Sequence, residues 1–323
     1  MLGPVKRFFF ASLAWACLNC GSTDTQEPQS GSGGAQQTGS GGSADGSGGR
    51  TTGSGGAAEG SGGDASGGAG PDEACSGAFG SPRVILSGGR VNSPALSADN
   101  LELFYIMGES SEESFMVSRR NSADEAFPEG VALPELNDFP ACVGLDKTLD
   151  ASADGLRVYV SCYANIDLYT ELYQFERPDR DALFANPTEV GRVFASSGIS
   201  VDELTLVGAR FTSDIATSTS TRTALDRRFP DPHPLPGLEN QAIFSPTLSR
   251  DGLELYGALG TEKTFAVVRR PDLDTPFGTP EPLTHLIGDL MTVGAPDLSD
   301  DCRTLVFVGV DYAIQWAIYQ AER

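Results

Sequence analysis

Basic residues and histidine are scarce in this 323-residue sequence. It contains 22 Lys and Arg against 44 Asp and Glu, which sets the formal net charge at −22, and it has only two histidines. Most of that charge, −18, belongs to residues 75–323. Nucleic-acid binding and adsorption to anionic lipid both depend on Lys and Arg. We therefore expect no nucleic-acid partner and no membrane contact except through a covalent anchor.

Motifs that mark catalytic and metal sites are missing after residue 74. The chain has no H-x-x-x-H zinc motif, no G-x-S-x-G nucleophile turn and no D-x-[DN]-x-[DN]-G calcium loop. His233 lies in the Pro-rich stretch PDPHPLPG, and His285 lies near a predicted outer strand. We interpret the acid clusters DASAD (150–154) and DLSDD (297–301) as turn caps rather than ion sites. We expect no cofactor, no metal and no catalytic residue.

Long apolar runs are also missing, apart from one near the start. A basic pair precedes the apolar residues 8–16, which is the pattern of a signal peptide and is too short to span a bilayer comfortably. A small residue stands directly before Cys17, as in bacterial lipoproteins that are acylated on Cys, and Cys20 is the alternative attachment site. Residues 1–20 therefore predict an outer-membrane lipoprotein that faces the periplasm or the cell surface, with plain secretion as the alternative.

Bulky apolar residues are almost absent from residues 21–74, which are dominated by Gly, Ser, Thr, Ala and acidic residues. Such a segment cannot bury enough surface to offset its conformational entropy, so the sequence predicts a disordered tether. As a flexible coil it would span about 40 Å. The remaining residues, 75–323, are numerous enough for one large domain or two ordinary ones.

A repeat organises residues 75–323. Ser-x-Asp followed by alternating apolar residues occurs five times, in SADNLELFY, SADGLRVYV, SVDELTLVG, SRDGLELYG and SDDCRTLVF. The repeated acids, 48–55 residues apart, are Asp99, Asp154, Asp202, Asp251 and Asp301. The alternation predicts a strand, and Ser-x-Asp-Gly is typical of a turn whose Asp accepts a backbone N–H two residues on. Each copy is therefore predicted to be a β-hairpin, and its Asp a structural residue.

Two further elements recur at fixed spacing. An Arg precedes a Phe by seven residues in four copies, at Arg120, Arg177, Arg222 and Arg270, and most of these Phe residues begin a Phe-x-x-Pro element. We expect each repeated Arg, including the pairs 119–120 and 269–270, to bind carboxylates or carbonyl groups within or between units. Each unit offers about four strands in about 49 residues, without a convincing amphipathic helix.

Four-stranded units arranged radially form a β-propeller, so the predicted fold class is all-β. Five blades are favoured and six are the alternative, while a stacked solenoid fits worse because its repeats are usually shorter. In the repeat, each Arg is followed by a Phe seven residues later. The sequence ends at Arg323 before such a Phe, and the predicted domain begins with a Phe of this kind, Phe79, that has no repeated Arg before it. An N-terminal strand near 84–86 would therefore complete the last blade, close the ring and remove a free edge.

Four stretches carry a family resemblance: SPALSADNLELFY, DASADGLRVYV, SPTLSRDGLELYG and APDLSDDCRTLVF. They resemble the WD-like β-propeller repeat of the TolB periplasmic protein, and FGTPEPL (277–283) is similar to repeats of secreted bacterial lipoproteins of unassigned function. The resemblance covers 79–323. The third unit departs most, with ATSTSTRTA (216–224) in place of a clear third strand. The family implies binding of a protein or peptide more often than catalysis, and it supplies no catalytic residues.

Four cysteines follow the leader, and an even number in an exported chain predicts two disulfides. Cys142 and Cys162 lie at neighbouring ends of one predicted hairpin. Cys302 lies in the last turn, and Cys75 precedes the strand predicted to join that blade. Of three possible pairings we favour Cys142–Cys162 with Cys75–Cys302. The second bond would staple the ring closure and stabilise the fold by about 3–5 kcal/mol in the chain-entropy model. Free buried thiols are the alternative.

These features predict an exported, lipid-anchored propeller that acts as a non-enzymatic binding or scaffold module of the cell envelope. Its ligand would be an unidentified protein, peptide or glycan. The alternative is a carbohydrate-active hydrolase on a five-bladed propeller, which needs two unique carboxylates facing each other in the central funnel. Asp167, Asp214 and Asp311 are non-repeated acids that could serve, although nothing singles them out. A structural envelope component without a small ligand is the third hypothesis.

Overall fold

The structure is a computed structural model. It describes residues 75–108, 112–142, 146–163, 170–193, 196–209, 216–259 and 264–323. The predicted leader with Cys17 and Cys20, the predicted tether, Asp167 and Asp214 lie outside the described residues. Predictions about them stay predictions.

The described residues form five antiparallel sheets of four strands each. The first contains β2 (Val91–Leu96), β3 (Glu102–Met107), β4 (Ser114–Arg119) and β5 (Val131–Ala132). The second contains β6 (Asp146–Ala151), β7 (Arg157–Tyr163), β8 (Thr170–Glu176) and β9 (Ala185–Val193). The third contains β10 (Ser196–Ile199), β11 (Thr205–Ala209), β12 (Thr217–Thr221) and β13 (His233–Pro234). The fourth contains β14 (Ile243–Leu248), β15 (Glu254–Leu259), β16 (Thr264–Arg269) and β17 (Glu281–Pro282). The fifth contains β18 (Leu290–Leu298), β19 (Thr304–Asp311), β20 (Trp316–Glu322) and, outermost, β1 (Arg83–Ser87).

The five sheets are the blades of a closed ring. Their innermost strands β2, β6, β10, β14 and β18 each contact the innermost strand of the next blade, and β18 contacts β2. The predicted all-β propeller of four-stranded blades is confirmed, with five blades in the described part of the chain. The N-terminal strand also takes its predicted place, because β1 pairs with β20 and completes the last blade.

Helices are few and short in the described residues. They include α1 (Pro134–Asn137), α2 (Thr284–Ile287) and a 3₁₀ turn at Pro140–Cys142, and these three lie in connections between one blade and the next. None of the described helices is long and apolar enough to cross a membrane. The core instead lies between neighbouring blades, where apolar side chains of facing sheets interdigitate. Phe104 of the first blade meets Phe184 of the second edge-on, with ring centroids 6.0 Å apart.

An Arg–Phe pair recurs in every blade. The guanidinium lies 4.1–4.6 Å from the centre of the Phe ring, within the range of a cation–π contact. The Arg Nε also donates to a carbonyl oxygen of the preceding hairpin turn over 2.6–2.9 Å. The pairs are Arg120–Phe127, Arg177–Phe184, Arg222–Phe229, Arg270–Phe277 and Arg323–Phe79. The fifth pair joins the two ends of the propeller and so repeats the blade contact at the ring closure.

Two disulfides reinforce the ring, and both are the pairings that we favoured from the sequence. Cys75 is bonded to Cys302, across 227 positions of the chain, and Cys142 is bonded to Cys162, across 20 positions. The first bond holds the segment before β1 against the turn between β18 and β19. The second joins the 3₁₀ turn that precedes β6 to strand β7, within the second blade.

The third blade contains a strand that the sequence pattern did not indicate clearly. Strand β12, with the sequence TSTST, pairs with β11 on one side and with β13 on the other. Thr219 Oγ1 donates to the Leu206 carbonyl oxygen over 3.1 Å, and Ser220 Oγ donates to the Pro230 carbonyl oxygen over 2.6 Å. Because these hydroxyls are satisfied by carbonyl groups of the same blade, a strand of Thr and Ser can be buried here.

Candidate functional site

The five repeated aspartates all serve their own turns. In each copy the Ser hydroxyl donates to Asp Oδ1 over 2.6–2.7 Å. The backbone N–H two residues after the Asp donates to the same oxygen over 2.9–3.1 Å. The residues are Asp99, Asp154, Asp202, Asp251 and Asp301. One side-chain oxygen thus holds both arms of the turn, which is the Asx-turn geometry that the sequence pattern predicts.

The residue after each repeated Asp adopts the left-handed conformation. Gly155 and Gly252 occupy this position with φ of 71° and 70°, as glycine does without steric cost. Asn100, Glu203 and Cys302 occupy the same position with φ of 58° or 59°. Two of the three residues that replace glycine form contacts that glycine could not form. Cys302 forms the ring-closing disulfide, and Glu203 binds Arg157.

The electrostatics of two turn aspartates, Asp99 and Asp154, stabilise the charged form. For Asp99 and Asp154, partial burial would raise the pKa, but hydrogen bonds to the carboxylates outweigh it and the pKa of both is lowered. For Asp99 these bonds come from Arg180, Ser97 and the backbone. For Asp154 they come from its own turn, with further attraction from Arg180. These two carboxylates therefore stay ionised at neutral pH and act as fixed acceptors.

A small cavity lies on the central axis. It has a volume of about 30 Å³ and is lined by one segment from each innermost strand: 93–94, 148–150, 197–198, 245–247 and 295–297. Liquid water occupies about 30 Å³ per molecule, and a small closed cavity can hold one in less accessible space. The cavity therefore has room for about two water molecules and is far too small for a sugar ring.

One repeated slot, two residues before the Ser of each turn, brings different residues toward this axis. From the first blade to the fifth it contains Ala95, Asp150, Gly198, Thr247 and Asp297. Only two of the five are acids. At Gly198 a Cβ would overlap the carbonyl oxygen of Pro246, so the innermost strands of the third and fourth blades approach more closely than a side chain would allow.

The two axial carboxylates, Asp150 and Asp297, each join their own blade to the next one. Asp150 Oδ2 accepts the N–H of Ile199 over 2.7 Å, from the second blade to the third. Asp297 Oδ2 accepts the N–H of Leu96 over 2.7 Å, from the fifth blade to the first. The Thr247 hydroxyl, from the fourth blade, also bonds Asp297. The carboxylates thus act as connectors around the inner ring.

The pKa of both axial carboxylates is raised. Burial and, to a smaller extent, the charge of Glu203 raise the pKa of Asp150 to about 7, against the effect of its two backbone hydrogen bonds. Burial and then repulsion by Asp150 raise the pKa of Asp297 well above its usual range. Both residues are half-buried, and both line the small cavity. The pair therefore favours a partly protonated state, in contrast to the turn aspartates.

The sequence interpretation of the acid clusters is right for Asp154 and Asp301 and wrong for Asp150 and Asp297. The last two residues cap no turn and lie on the axis instead. A signal for them was available in the aligned repeats, because this slot is acidic in only two of five copies. The acid clusters look alike along the chain, and only alignment of the five repeats separates the turn position from the axial position.

Networks of Glu, Tyr and Arg connect neighbouring blades away from the axis. Glu203 binds Arg157 over 2.5 and 2.7 Å and accepts the Tyr159 hydroxyl over 2.5 Å, while Arg222 donates to that hydroxyl over 3.0 Å. Burial and the Glu203 charge raise the pKa of Tyr159. A second network joins Glu254, Tyr256, Arg269 and Arg323 in the same manner. These buried acids are all paired, so they act as connectors between blades.

Other residues noted from the sequence lie apart from the axis. His233 is exposed in the two-residue strand β13, and His285 is exposed in α2, directly after the outer strand β17. Asp311 accepts the N–H groups of Ala313 and Gln315, both over 2.9 Å, in the turn between β19 and β20. Within the described ranges, no group of three or more His, Cys, Asp or Glu residues is arranged to hold a metal ion.

The paired arginines behave as expected of a scaffold. Arg119 Nε donates to Glu102 Oε1 over 2.6 Å, and Arg269 Nε donates to Glu254 Oε1 over 2.7 Å. The second member of each pair lies on its Phe and binds a turn carbonyl, as described above for all five blades. The prediction that the repeated Arg residues bind carboxylates or carbonyl groups is confirmed.

Comparison with known proteins finds likeness in structure but not in sequence. No protein-family model and no curated protein matches the chain. Among solved structures, the catalytic domain of a GH62 alpha-L-arabinofuranosidase from Coprinopsis cinerea aligns with a TM-score of 0.55 and 9% identity, over 76% of this chain and 96% of that one. The alpha-L-arabinofuranosidase of Podospora anserina aligns with a TM-score of 0.51 and 11% identity, over 74% and 94%.

TolB from Acinetobacter baumannii also aligns, over 74% of this chain and 56% of its own, with 15% identity and a TM-score of 0.42. At such low identities a structural likeness establishes the fold alone. The two arabinofuranosidases therefore support the five-bladed architecture and assign no residue of this chain to catalysis.

Proposed function

We propose that this chain is an exported β-propeller, tethered to the cell envelope by a lipid on Cys17, that binds a protein, peptide or glycan without catalysing a reaction. The observation that carries the proposal is the size of the axial cavity. A hydrolase on this architecture needs a sugar between two carboxylates that are about 5–10 Å apart. The cavity that Asp150 and Asp297 line on the axis has a volume of about 30 Å³.

The surroundings of the axial acids support the same conclusion. Asp150 and Asp297 already accept backbone N–H groups of the next blade. A catalytic acid or base must instead reach the substrate proton directly or through one water molecule. Widening the axis to admit a sugar would break these hydrogen bonds between blades. The two acids are therefore better placed to hold neighbouring blades together than to act on a substrate.

Export is supported by the chemistry of the cysteines. Two disulfides within one domain suit an oxidising compartment, since thiols are kept reduced in the cytosol. Mass spectrometry of the mature protein tests the anchor. We expect an acylated N-terminal Cys17, loss of acylation in Cys17→Ala and retention in Cys20→Ala. A free N-terminus without acyl chains would overturn the anchor.

The binding function is tested by affinity capture from envelope extract with the full chain, in parallel with a screen of aryl-glycoside and arabinoxylan substrates. We expect a specific partner and no turnover. Turnover that is lost in Asp150→Asn and Asp297→Asn, but kept in the turn variant Asp154→Asn, would replace the binding function by hydrolysis.

Hydrolysis is the second candidate because one observation favours it. Two non-repeated carboxylates do lie at the centre of the ring, and both have a raised pKa, as a general acid requires. Soaking crystals with an arabinose-containing oligosaccharide discriminates between the candidates. A sugar bound against Asp150 and Asp297 supports the hydrolase, and an unchanged axis supports the binding module.

A further inference from the structure

The outermost strand of the closing blade, β1, has a free edge. It pairs with β20 on one side, and no described strand pairs with its other side. Other blades blunt their outer edges: β5, β13 and β17 have two residues each, and the nine-residue β9 contains Pro187. Short strands and proline both prevent edge pairing. Strand β1 has five residues, RVILS, and no proline.

A groove of about 450 Å³ follows this edge. Residues 84–88 form one wall, and Tyr105, Met107 and Phe127 of the first blade form the other. Val84 is apolar but 51% exposed. A volume of this size is within the range of ligand pockets, about 300–1,000 Å³. A free strand edge therefore lies beside a groove of useful size, whose lining residues are mostly apolar and whose exposed surface includes polar atoms.

The charges of the groove and of the propeller indicate which kind of molecule would bind in the groove. Glu129, an exposed residue, is the only charged residue that lines the groove. The propeller itself carries a net charge of −18. A second copy of the chain would bring the same charge, and residues 21–74 are acidic with almost no bulky apolar side chains. An apolar and cationic partner fits better than either of these.

We propose that β1 and its groove bind an extended peptide segment of a partner protein, which adds to the blade as a fifth strand. Backbone hydrogen bonds to the free edge would supply affinity, as in other cases of strand addition. Alternate side chains of a strand face the same way, so the segment would place apolar residues in the groove and a Lys or Arg near Glu129. A β-bulge between Val84 and Leu86 limits the pairing to a short segment.

This inference rests on the proposed binding function and gives it a location. The probe is a fluorescein-labelled peptide, Lys-Thr-Val-Thr-Val, in which Lys and both Val residues face the same side of a strand, titrated against the full chain. One comparison peptide has Glu in place of Lys, and another has Pro in place of both Thr residues, which removes two backbone N–H donors. We expect the Lys peptide to bind at least about 10-fold more tightly than either comparison peptide.

Three variants localise the binding. Val84→Asp places a charge in the groove, and Glu129→Lys reverses its charge. We expect each to weaken the Lys peptide about 10-fold, and Glu129→Lys to favour the Glu peptide instead. Leu183→Asp is the matched control, because Leu183 is a 68% exposed apolar residue of the second blade. It should bind like wild type. Since Glu129 is exposed, its variant keeps the test valid even if Val84→Asp fails to fold.

Equal binding of the Lys peptide by wild type, Val84→Asp and Glu129→Lys would overturn this location, and so would an absence of peptide binding. Sedimentation that shows a dimer dissociated by Val84→Asp would assign the groove to a second copy. An envelope partner captured equally by wild type and Val84→Asp would overturn the groove but leave the binding function standing. Glycoside turnover would overturn the non-enzymatic function of the chain. The peptide titrations would still decide whether the groove binds a peptide.

Discussion

Two aspartates, four residues apart in the stretch DASAD, have opposite environments. Asp154 lies in a surface turn, accepts two hydrogen bonds from its own hairpin and has a lowered pKa. Asp150 lies on the axis, bonds the next blade and has a raised pKa. Asp301 and Asp297 show the same difference in hydrogen bonding in the fifth blade, since Asp301 bonds its own turn and Asp297 bonds the first blade. The aspartates that recur in every copy stabilise the turn of their own blade. The two aspartates that occur at a position without a repeated acid, Asp150 and Asp297, bond the neighbouring blade instead.

The largest expected effect concerns Cys302, which breaks the repeat inside a turn. Replacing Cys75 and Cys302 by Ala should lower the free energy of unfolding by about 5 kcal/mol, because the bond closes a loop across 227 positions. Replacing Cys142 and Cys162 by Ala should cost about 3 kcal/mol, since that loop spans only 20 positions. Denaturant unfolding measures both. Equal losses would contradict the special role of the ring closure.

A repeated residue should come next. Arg222 is 2% exposed and binds the Glu203 carbonyl, the Tyr159 hydroxyl and the face of Phe229. Arg222→Ala leaves these buried groups without their partner, so we expect a loss of about 3–5 kcal/mol.

The control for Arg222 is Arg227→Ala, on an exposed side chain of the same connection, with an expected change below about 0.5 kcal/mol. Thermal and denaturant unfolding of both variants check this prediction. Similar losses in the two would mean that the repeated Arg is dispensable to the scaffold.

The smallest effect should come from one turn. Asp154→Ala removes the acceptor of two short-range hydrogen bonds at a partly exposed site, so we expect a loss of about 1 kcal/mol at pH 7. Because the pKa of Asp154 is lowered in the folded state, this stabilisation is present above the ordinary Asp pKa and is lost as the pH falls below about 4. The difference in the free energy of unfolding between wild type and variant should therefore be smaller at pH 3 than at pH 7. A difference of the same size at both pH values would exclude the charge as its cause.

The repeat made most of the fold predictable. The Ser-x-Asp turns, the Arg–Phe spacing and the position of Cys75 beside the last blade depend on local patterns that recur, and five copies in register leave few topologies. Strand β12 was harder to predict because hydroxyl side chains form it, and their burial depends on carbonyl groups of residues 206 and 230 that only the folded blade brings near them. The axial pair was missed for a related reason.

Asp150 and Asp297 lie together on the axis only because the ring closes. A local sequence pattern does not show which residues the closed ring brings together. The free edge of β1 has the same origin. Its exposure follows from its place beside β20 as the outermost strand of the closing blade, which is a property of the assembled ring. Function in this chain therefore has to be sought by comparing blades rather than by reading motifs.

The pH dependence of stability tests the central contrast most directly. A carboxylate whose pKa rises to about 7 on folding contributes stability that is full below about pH 4 and is lost as the pH rises through 7. We therefore expect the free energy of unfolding of the wild type to fall by about 2–3 kcal/mol between pH 5 and pH 8.

The decisive comparison is between two double variants, measured by urea unfolding at pH 5 and pH 8. Asp150→Asn with Asp297→Asn should remove most of the fall in stability between these pH values. Asp154→Asn with Asp301→Asn should be less stable than wild type at both pH values and keep the fall. An axial double variant with the wild-type pH dependence, or a turn double variant that has lost it, would contradict the division between repeated scaffold acids and the axial pair.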